Sequence, residues 1–368
     1  MNAPDAVDVV ALGESMVTFL PSRAGRLADV PSFERAIGGA ESNVACGLAA
    51  AGFVVRWVSR VGVDGFGDHL VETVGGYGVD VSAVGRDSSR PTGVYFRTAG
   101  ERGSDAHEVA YYRAGSAASA MSVENVDLPV VRAGRVLHLS GITAALSDDC
   151  LGLLRELTAP GADRPLVSFD VNHRAGLWRD ADGPRVLLEL ARGADIVFVG
   201  EDEAEEAWGV AGGPAAVRAV LPEPSVLVVK QGSVGATAFV SAAGSGGLAA
   251  QFPAPLAGSP APSVDTPASS GTFVPALSVD VVATTGAGDA FAAGFLSATL
   301  RGLPLRDRLR HGHLWAAAAL TVPGDLAVPP SRAHADRLVA VGDDTWGTLR
   351  LGPGWTQAGT APEEVRSP

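Results

Sequence analysis

The chain has 368 residues, enough for one large domain or two ordinary ones, and a 46% hydrophobic content that can bury a sizeable core, which excludes disorder of the whole. A formal charge of −13 and a pI near 5.0 argue against nucleic acid or an anionic membrane as the main partner, so an anionic ligand must be met by local cations. Two cysteines, Cys46 and Cys150, exclude a disulfide framework and a four-thiolate zinc site, and with no basic leader and no ~20-residue apolar run the expectation is a cytoplasmic protein.

In chain order, residues 8–12 read as a strand, residues 40–51 as a helix of small residues stopped by Gly52, residues 54–61 as a second strand and residues 68–75 as an amphipathic turn. Further strands are expected at 135–139, 165–169, 195–199 and 226–229. Strands this apolar, separated by helical patterns, predict a parallel sheet covered on both faces, with ligands collecting at the strands' carboxyl ends. Residues 15–33 and 92–113 carry β-branched and aromatic residues without helical spacing and are expected to form hairpins off the main sheet. Residues 241–275, dense in Gly, Ala, Ser and Pro, read as a flexible surface insertion between segments 236–240 and 276–279, and the tail beyond about Gly342 reads as irregular. Of 28 basic residues only Lys230 is a lysine, a bias read here as compositional.

The strongest motif is Ala283-Thr-Thr-Gly-Ala-Gly-Asp289, opening a helix of small residues through roughly Leu300. Gly286, Ala287 and Gly288 let backbone amides at a helix N-terminus approach an anion such as phosphate. Asp289 either complements the helix dipole or faces a hydroxyl that must lose a proton; a carboxylate beside an anion cradle favours the second. Gly38-Gly-Ala-Glu-Ser-Asn43 leads into the earlier helix, and its bland reading is Ser42 or Asn43 as a cap.

Together the two segments resemble the two signatures of the ribokinase-like (PfkB-type) carbohydrate kinases, and the resemblance runs over residues 8 to about 340. Within the family Gly38-Gly-Ala-Glu41, Thr92-Gly-Val-Tyr95, residues 111–117, residues 137–143 and Asp170-Val-Asn-His-Arg174 look most like the kinases of 2-keto-3-deoxygluconate. The resemblance implies a three-layer α/β/α sandwich over residues 1–340 with a mostly parallel sheet. A small β-lid is expected from residues 15–33 and 92–113, an insertion at 241–275 and an irregular tail at 341–368. It implies transfer of the ATP γ-phosphate to a primary sugar hydroxyl, with Asp289 as base and Gly286, Ala287 and Gly288 as the anion hole. The helix terminus is expected to lower the Asp289 pKa, so that the carboxylate chiefly orients the hydroxyl.

The resemblance further assigns sugar contacts to Gly39, Asn43, Tyr95, Tyr111, Arg113, Arg174 and Asp325, with Arg113 or Arg174 meeting the sugar's carboxylate; each arginine's bland reading is a solvated charge, and that of Asp325 an exposed turn. It assigns nucleotide contacts to Asn172, Lys230, Gln231, Gly232, Ser233 and Gly235, the rival for the loop being an ordinary glycine turn. Mg²⁺ is expected, with Glu203 helping through water or else serving only as an acidic helix start. Two departures stand out: Ala283 replaces the family's usual Asp or other polar residue, which bears on a monovalent cation near the cradle, and Gly200 replaces an Asn. A homo-oligomer through the lid is implied. The alternatives are a kinase of a neutral sugar such as fructose or ribose, and a catalytically silent sugar- or nucleotide-binding regulator; a dinucleotide dehydrogenase fits less well, because no acidic ribose partner follows the Gly-Ala-Gly.

Overall fold

A computed structural model of the chain describes residues 6–98, 108–161, 164–178, 181–241 and 271–360. The polypeptide enters on β1 (Val9–Leu12), leaves the main sheet for β2 (Met16–Pro21) and β3 (Phe33–Gly38), and returns through the helix Ala40–Ala50 to β4 (Val55–Gly62). After the helix Gly65–Gly76 come β5 (Val84–Asp87) and a second excursion, β6 (Val94–Arg97) and β7 (Val109–Tyr112). Next are β8 (Val136–Ser140), β9 (Leu166–Asp170), β10 (Ile196–Gly200) and β11 (Val226–Lys230), with helices between them. The chain then makes β12 (Gly235–Val240), β13 (Thr272–Pro275), β14 (Ser278–Val279), the helix pair Ala287–Leu300 and Leu305–Leu320, two short helices, and β15 (Arg350–Leu351).

Among the described residues nine strands form one sheet in the order β13-β12-β11-β10-β9-β8-β1-β4-β5, parallel from β5 to β11 and ended by the antiparallel pair β12 and β13. The pleat explains the apolar runs. Val9 and Ala11 join the core on one face while Val10 and Leu12 join the core on the other, and Phe198 against Val197 and Val199 repeats the division. The helix Ala287–Leu300 is buried from Phe291 to Leu300, as its all-round small and apolar sequence requires. The turn expected at 68–75 is a helix from Gly65, three residues earlier, because the Asp64 side chain accepts hydrogen bonds from the amides of Phe66 and Gly67. No helix among the described residues is long and apolar enough to cross a membrane.

The two expected hairpins combine into a separate four-stranded sheet, β3-β2-β6-β7, that stands over the carboxyl ends of the main strands. It reaches five residues beyond 33, to Gly38, and residues 99–107 lie outside the described ones. Of the insertion expected at 241–275, residues 242–270 are likewise outside, and Thr272–Pro275 corrects the expectation at its far end: it is the edge strand of the main sheet, paired in register with β12. The tail also differs from its reading. Residues Asp343–Thr348 form a helix and β15 pairs with β14. The cause is Trp346, whose buried indole donates to the Pro275 carbonyl at 3.0 Å and stacks beneath the Arg310 guanidinium at 4.4 Å. Trp346→Ala is expected to destabilise the fold by about 3–5 kcal/mol, read as an earlier urea midpoint; an unchanged midpoint makes the tail an ornament.

Candidate active site

The carboxyl ends of β1, β9, β10 and β11, the lid and the start of the helix Ala287–Leu300 enclose one cleft of about 1340 Å³. Asp289 sits on its floor. The preceding Gly286 is left-handed at φ 79°, and a Cβ there would lie 2.1 Å from the Asp325 carbonyl oxygen, so only glycine lets this turn dock on the 324–325 loop. At Gly288 the nearest atom to a Cβ position is the Lys230 Nζ, at 3.7 Å, which puts an ammonium beside the cradle amides.

The Asn43 amide donates to Asp289 Oδ2 at 2.8 Å, and its own Oδ1 is buried with no partner in the protein. Asn43 thus positions the carboxylate while keeping an acceptor for a hydroxyl. It caps nothing: Gly39 is the N-cap of the helix Ala40–Ala50, and Ser42 bonds Ser15 and the Gly39 carbonyl. Gly39 lies so close to β1's exit that a Cβ would sit 2.4 Å from the Glu14 carbonyl.

The direction expected for the Asp289 pKa is corrected. Burial pushes it up to about 7; the Asn43 bond opposes this, the like charges of Asp170 and Asp325 add to it, and Lys230 opposes it. A helix N-terminus contributes only a partial charge, and desolvation outweighs it. A carboxylate shifted this far changes its protonation near neutral pH.

At the lid end of the cleft, the buried Tyr95 donates to Asp325 Oδ2 at 2.8 Å and packs against the half-exposed Tyr111 ring 5.5 Å away. Asp325 is therefore no exposed turn residue: it is buried and its pKa is raised by burial, which Arg97 and Tyr95 oppose. Arg113 is not a solvated charge either. Its Nε meets Glu14 Oε2 at 2.7 Å, with both side chains almost fully covered, so its charge is already matched. Arg174 is the loosely held cation, its side chain 55% exposed, bonded to the His173 carbonyl and 3.5 Å from Glu203.

Toward the other end, Lys230 contacts both Asp170 oxygens at 3.1–3.2 Å; burial lowers its pKa, but Asp170 and Glu203 together leave it raised and charged. Gly232, Ser233 and Gly235 line the cleft, Gly232 and Gly235 with positive φ. Gln231 does not: it is turned away to Glu201 and Thr237. Asn172, left-handed at φ 41°, brings a buried, unpartnered Oδ1 to the same wall. Glu203 accepts from the Gly200 amide at 2.7 Å, so it does close the first helical turn while also lining the cleft. Beyond lie Val279, Ala316, Ala317 and Leu320, an apolar end suited to a flat ring. Glu14, Asp170, Arg97 and Thr285 line the same cleft; Asp170 heads the Asp-Val-Asn motif and Thr285 lies within the Ala283–Asp289 motif.

A family model described as pfkB family carbohydrate kinase matches residues 7–332. The chain belongs to the pfkB family of carbohydrate kinases. It is 33% identical over 334 residues to 2-dehydro-3-deoxygluconokinase of Bacillus subtilis (strain 168), covering 89% of this chain and 93% of that one. It is 30% identical over 338 residues to the probable chloroplastic fructokinase-6 of Arabidopsis thaliana, covering 87% and 79%. The crystal structure of a PfkB protein from Polaromonas sp. JS666, 31% identical, superposes with a TM-score of 0.73 over 90% of this chain and 99% of that one. This carbohydrate kinase thus stands among the phosphotransferases, which removes the dinucleotide dehydrogenase.

Asp289→Asn keeps an acceptor for Asn43 but not the basic oxygen. It is expected to lower kcat on the order of 10²–10⁴-fold, and wild-type kcat/KM is expected to rise with pH through about 7. The stability effect has the opposite sense: a carboxylate whose folded pKa is raised costs stability as pH climbs from its unfolded value to about 7. The Asp289→Asn variant should therefore melt higher than wild type at pH 8 and no higher at pH 4. Equal melting at both values speaks against a desolvated carboxylate.

Proposed function

We propose that this kinase transfers the γ-phosphate of ATP to the C6 hydroxyl of 2-keto-3-deoxygluconate, with Asp289 as the base. What carries the reading is the position of Asp289, at the junction between a polar pocket under the lid and a channel lined by Lys230, the glycine loop and an apolar end. The hydroxyl oxygen attacks the γ-phosphorus, its proton passes to Asp289, and the bond to ADP breaks. The amides of Gly286 to Gly288 and the Lys230 ammonium face the charge on the transferring oxygens.

The residues fit Mg²⁺ carried in with the nucleotide rather than held in a protein cage: among the described residues no group of three His, Cys, Asp or Glu is placed to bind a metal, while Asp170 and Glu203 present carboxylates to the cleft. Bound there through water, the ion would neutralise phosphate charge. Ala283 supplies no side-chain oxygen for a monovalent cation, so the residues do not fit a side-chain-ligated one at that position.

For the acid sugar, Arg174 is the cation freest to exchange its partner for the substrate carboxylate, while Arg113 offers a fork already neutralised by Glu14. The same Arg113–Glu14 pair favours the second reading, a neutral sugar such as fructose, in which no carboxylate is needed. Both cysteines are buried and free, which accords with a reducing compartment such as the cytoplasm. The exposed Tyr112 on the lid supports the homo-oligomer proposed through that sheet.

ADP release measured across 2-keto-3-deoxygluconate, fructose and ribose tests the substrate. The acid sugar is expected to be turned over fastest, and Arg174→Met to raise its KM by roughly 10–100-fold, the worth of one charged hydrogen bond. Activity on fructose alone, indifferent to Arg174, overturns the acid-sugar reading and leaves the kinase.

A further inference from the structure

Alternation along β6 puts Tyr95 and Arg97 on one face and Phe96 on the other. Phe96 stacks on Phe19 with ring centroids 4.6 Å apart and anchors β6 within the lid. Arg97 does the reverse. Its side chain, 11% exposed, leaves the lid and enters the main body. One Nη donates to Thr285 Oγ1 at 2.5 Å; the other donates to the Pro323 carbonyl at 2.9 Å and lies 3.0 Å from Asp325 Oδ1.

These acceptors sit on the two loops that build the cradle. Thr285 immediately precedes the left-handed Gly286, and Gly286 is itself pressed against the Asp325 carbonyl. One guanidinium therefore joins the lid strand to the turn that aims the cradle amides and to the loop that supports it. The planar fork holds two hydrogen-bonded acceptors, Thr285 and the Pro323 carbonyl, at fixed angles and sets its charge against Asp325.

We propose that Arg97 is a positioning residue, a latch through which the lid's seating over the sugar sets the alignment of the phosphoryl cradle. It acts through Thr285 and Asp325, not by contact with the reacting atoms, and rests on the kinase reading above without depending on which sugar is bound. In the wild type, sugar under the lid should tighten the cradle around the nucleotide phosphates. Without Arg97 the two halves of the site bind independently, and the hydroxyl and the phosphoryl group meet in poorer register.

The test compares wild type, Arg97→Met, Thr285→Val and the double variant, using a non-hydrolysable ATP analogue and whichever sugar of the panel the wild type phosphorylates. A different sugar from the panel leaves this test in place, so the substrate's identity and the latch fail separately. For Arg97→Met we expect kcat to fall on the order of 10–100-fold and the sugar's tightening of analogue binding to disappear. Thr285→Val, which deletes a single hydroxyl, should show the same loss of tightening in smaller measure and carries the test without disturbing the lid. The double variant should be no slower than Arg97→Met, because the two act as one unit. Unchanged kcat and tightening, independent effects that simply multiply, or a loss confined to sugar affinity would each overturn the proposal, the last by making Arg97 a sugar ligand.

Discussion

A single hydrogen bond, from the Asn43 amide to the Asp289 carboxylate at 2.8 Å, joins elements 246 residues apart and holds the one group on which the proposed chemistry turns. It holds a carboxylate in an environment that disfavours its charge. Burial and two neighbouring acids push Asp289 toward its neutral form, while Asn43 and Lys230 keep the ionised form within reach near neutral pH. A carboxylate out in water would be a weaker base; one buried without these partners would stay protonated.

The rest of the site brings backbone and charge close to that group. Gly39 and Gly286 allow approaches that a single methyl group would block, one against β1's exit and one against the 324–325 loop. Every described cation lining the cleft has an acid near it: Arg113 with Glu14, Arg97 with Asp325, Lys230 with Asp170, Arg350 with Asp280, and Arg174 more loosely with Glu203. In a chain of net charge −13, this pairing lets a cleft carry five cations without their mutual repulsion, and it makes partner exchange the natural way to admit an anionic ligand.

Much of this was legible in the letters, for definite reasons. Strands buried on both faces are mostly apolar, with polar exceptions paired as His138 is with Ser168, so β1 and β8 to β11 announce a parallel sheet, and the aromatic alternation of residues 93–97 and 109–113 marks the lid. Gly286-Ala-Gly-Asp289 shows a cradle and an acid because both are local. What long-range packing decides was not legible. Arg113 meets Glu14 across 99 residues, Arg97 meets Thr285 across 188, and Trp346 reaches Pro275 across 71, so the matched arginine, the latch and the ordered tail have no local signal. The sign of the Asp289 pKa shift failed for the same reason: the helix terminus is visible in sequence, but the burial and the acids at 170 and 325 become neighbours only in the fold. Gln231 shows the converse, a residue inside a local motif that the turn points away from the cleft.

The ionisation of Asp289 in the ligand-free protein tests the account most directly. Carbon-13 NMR of the labelled carboxyl, assigned by the loss of its signal in the Asp289→Asn variant, follows that one group across pH. The account predicts a midpoint near 7; a midpoint near the ordinary aspartate value of about 4 would contradict it.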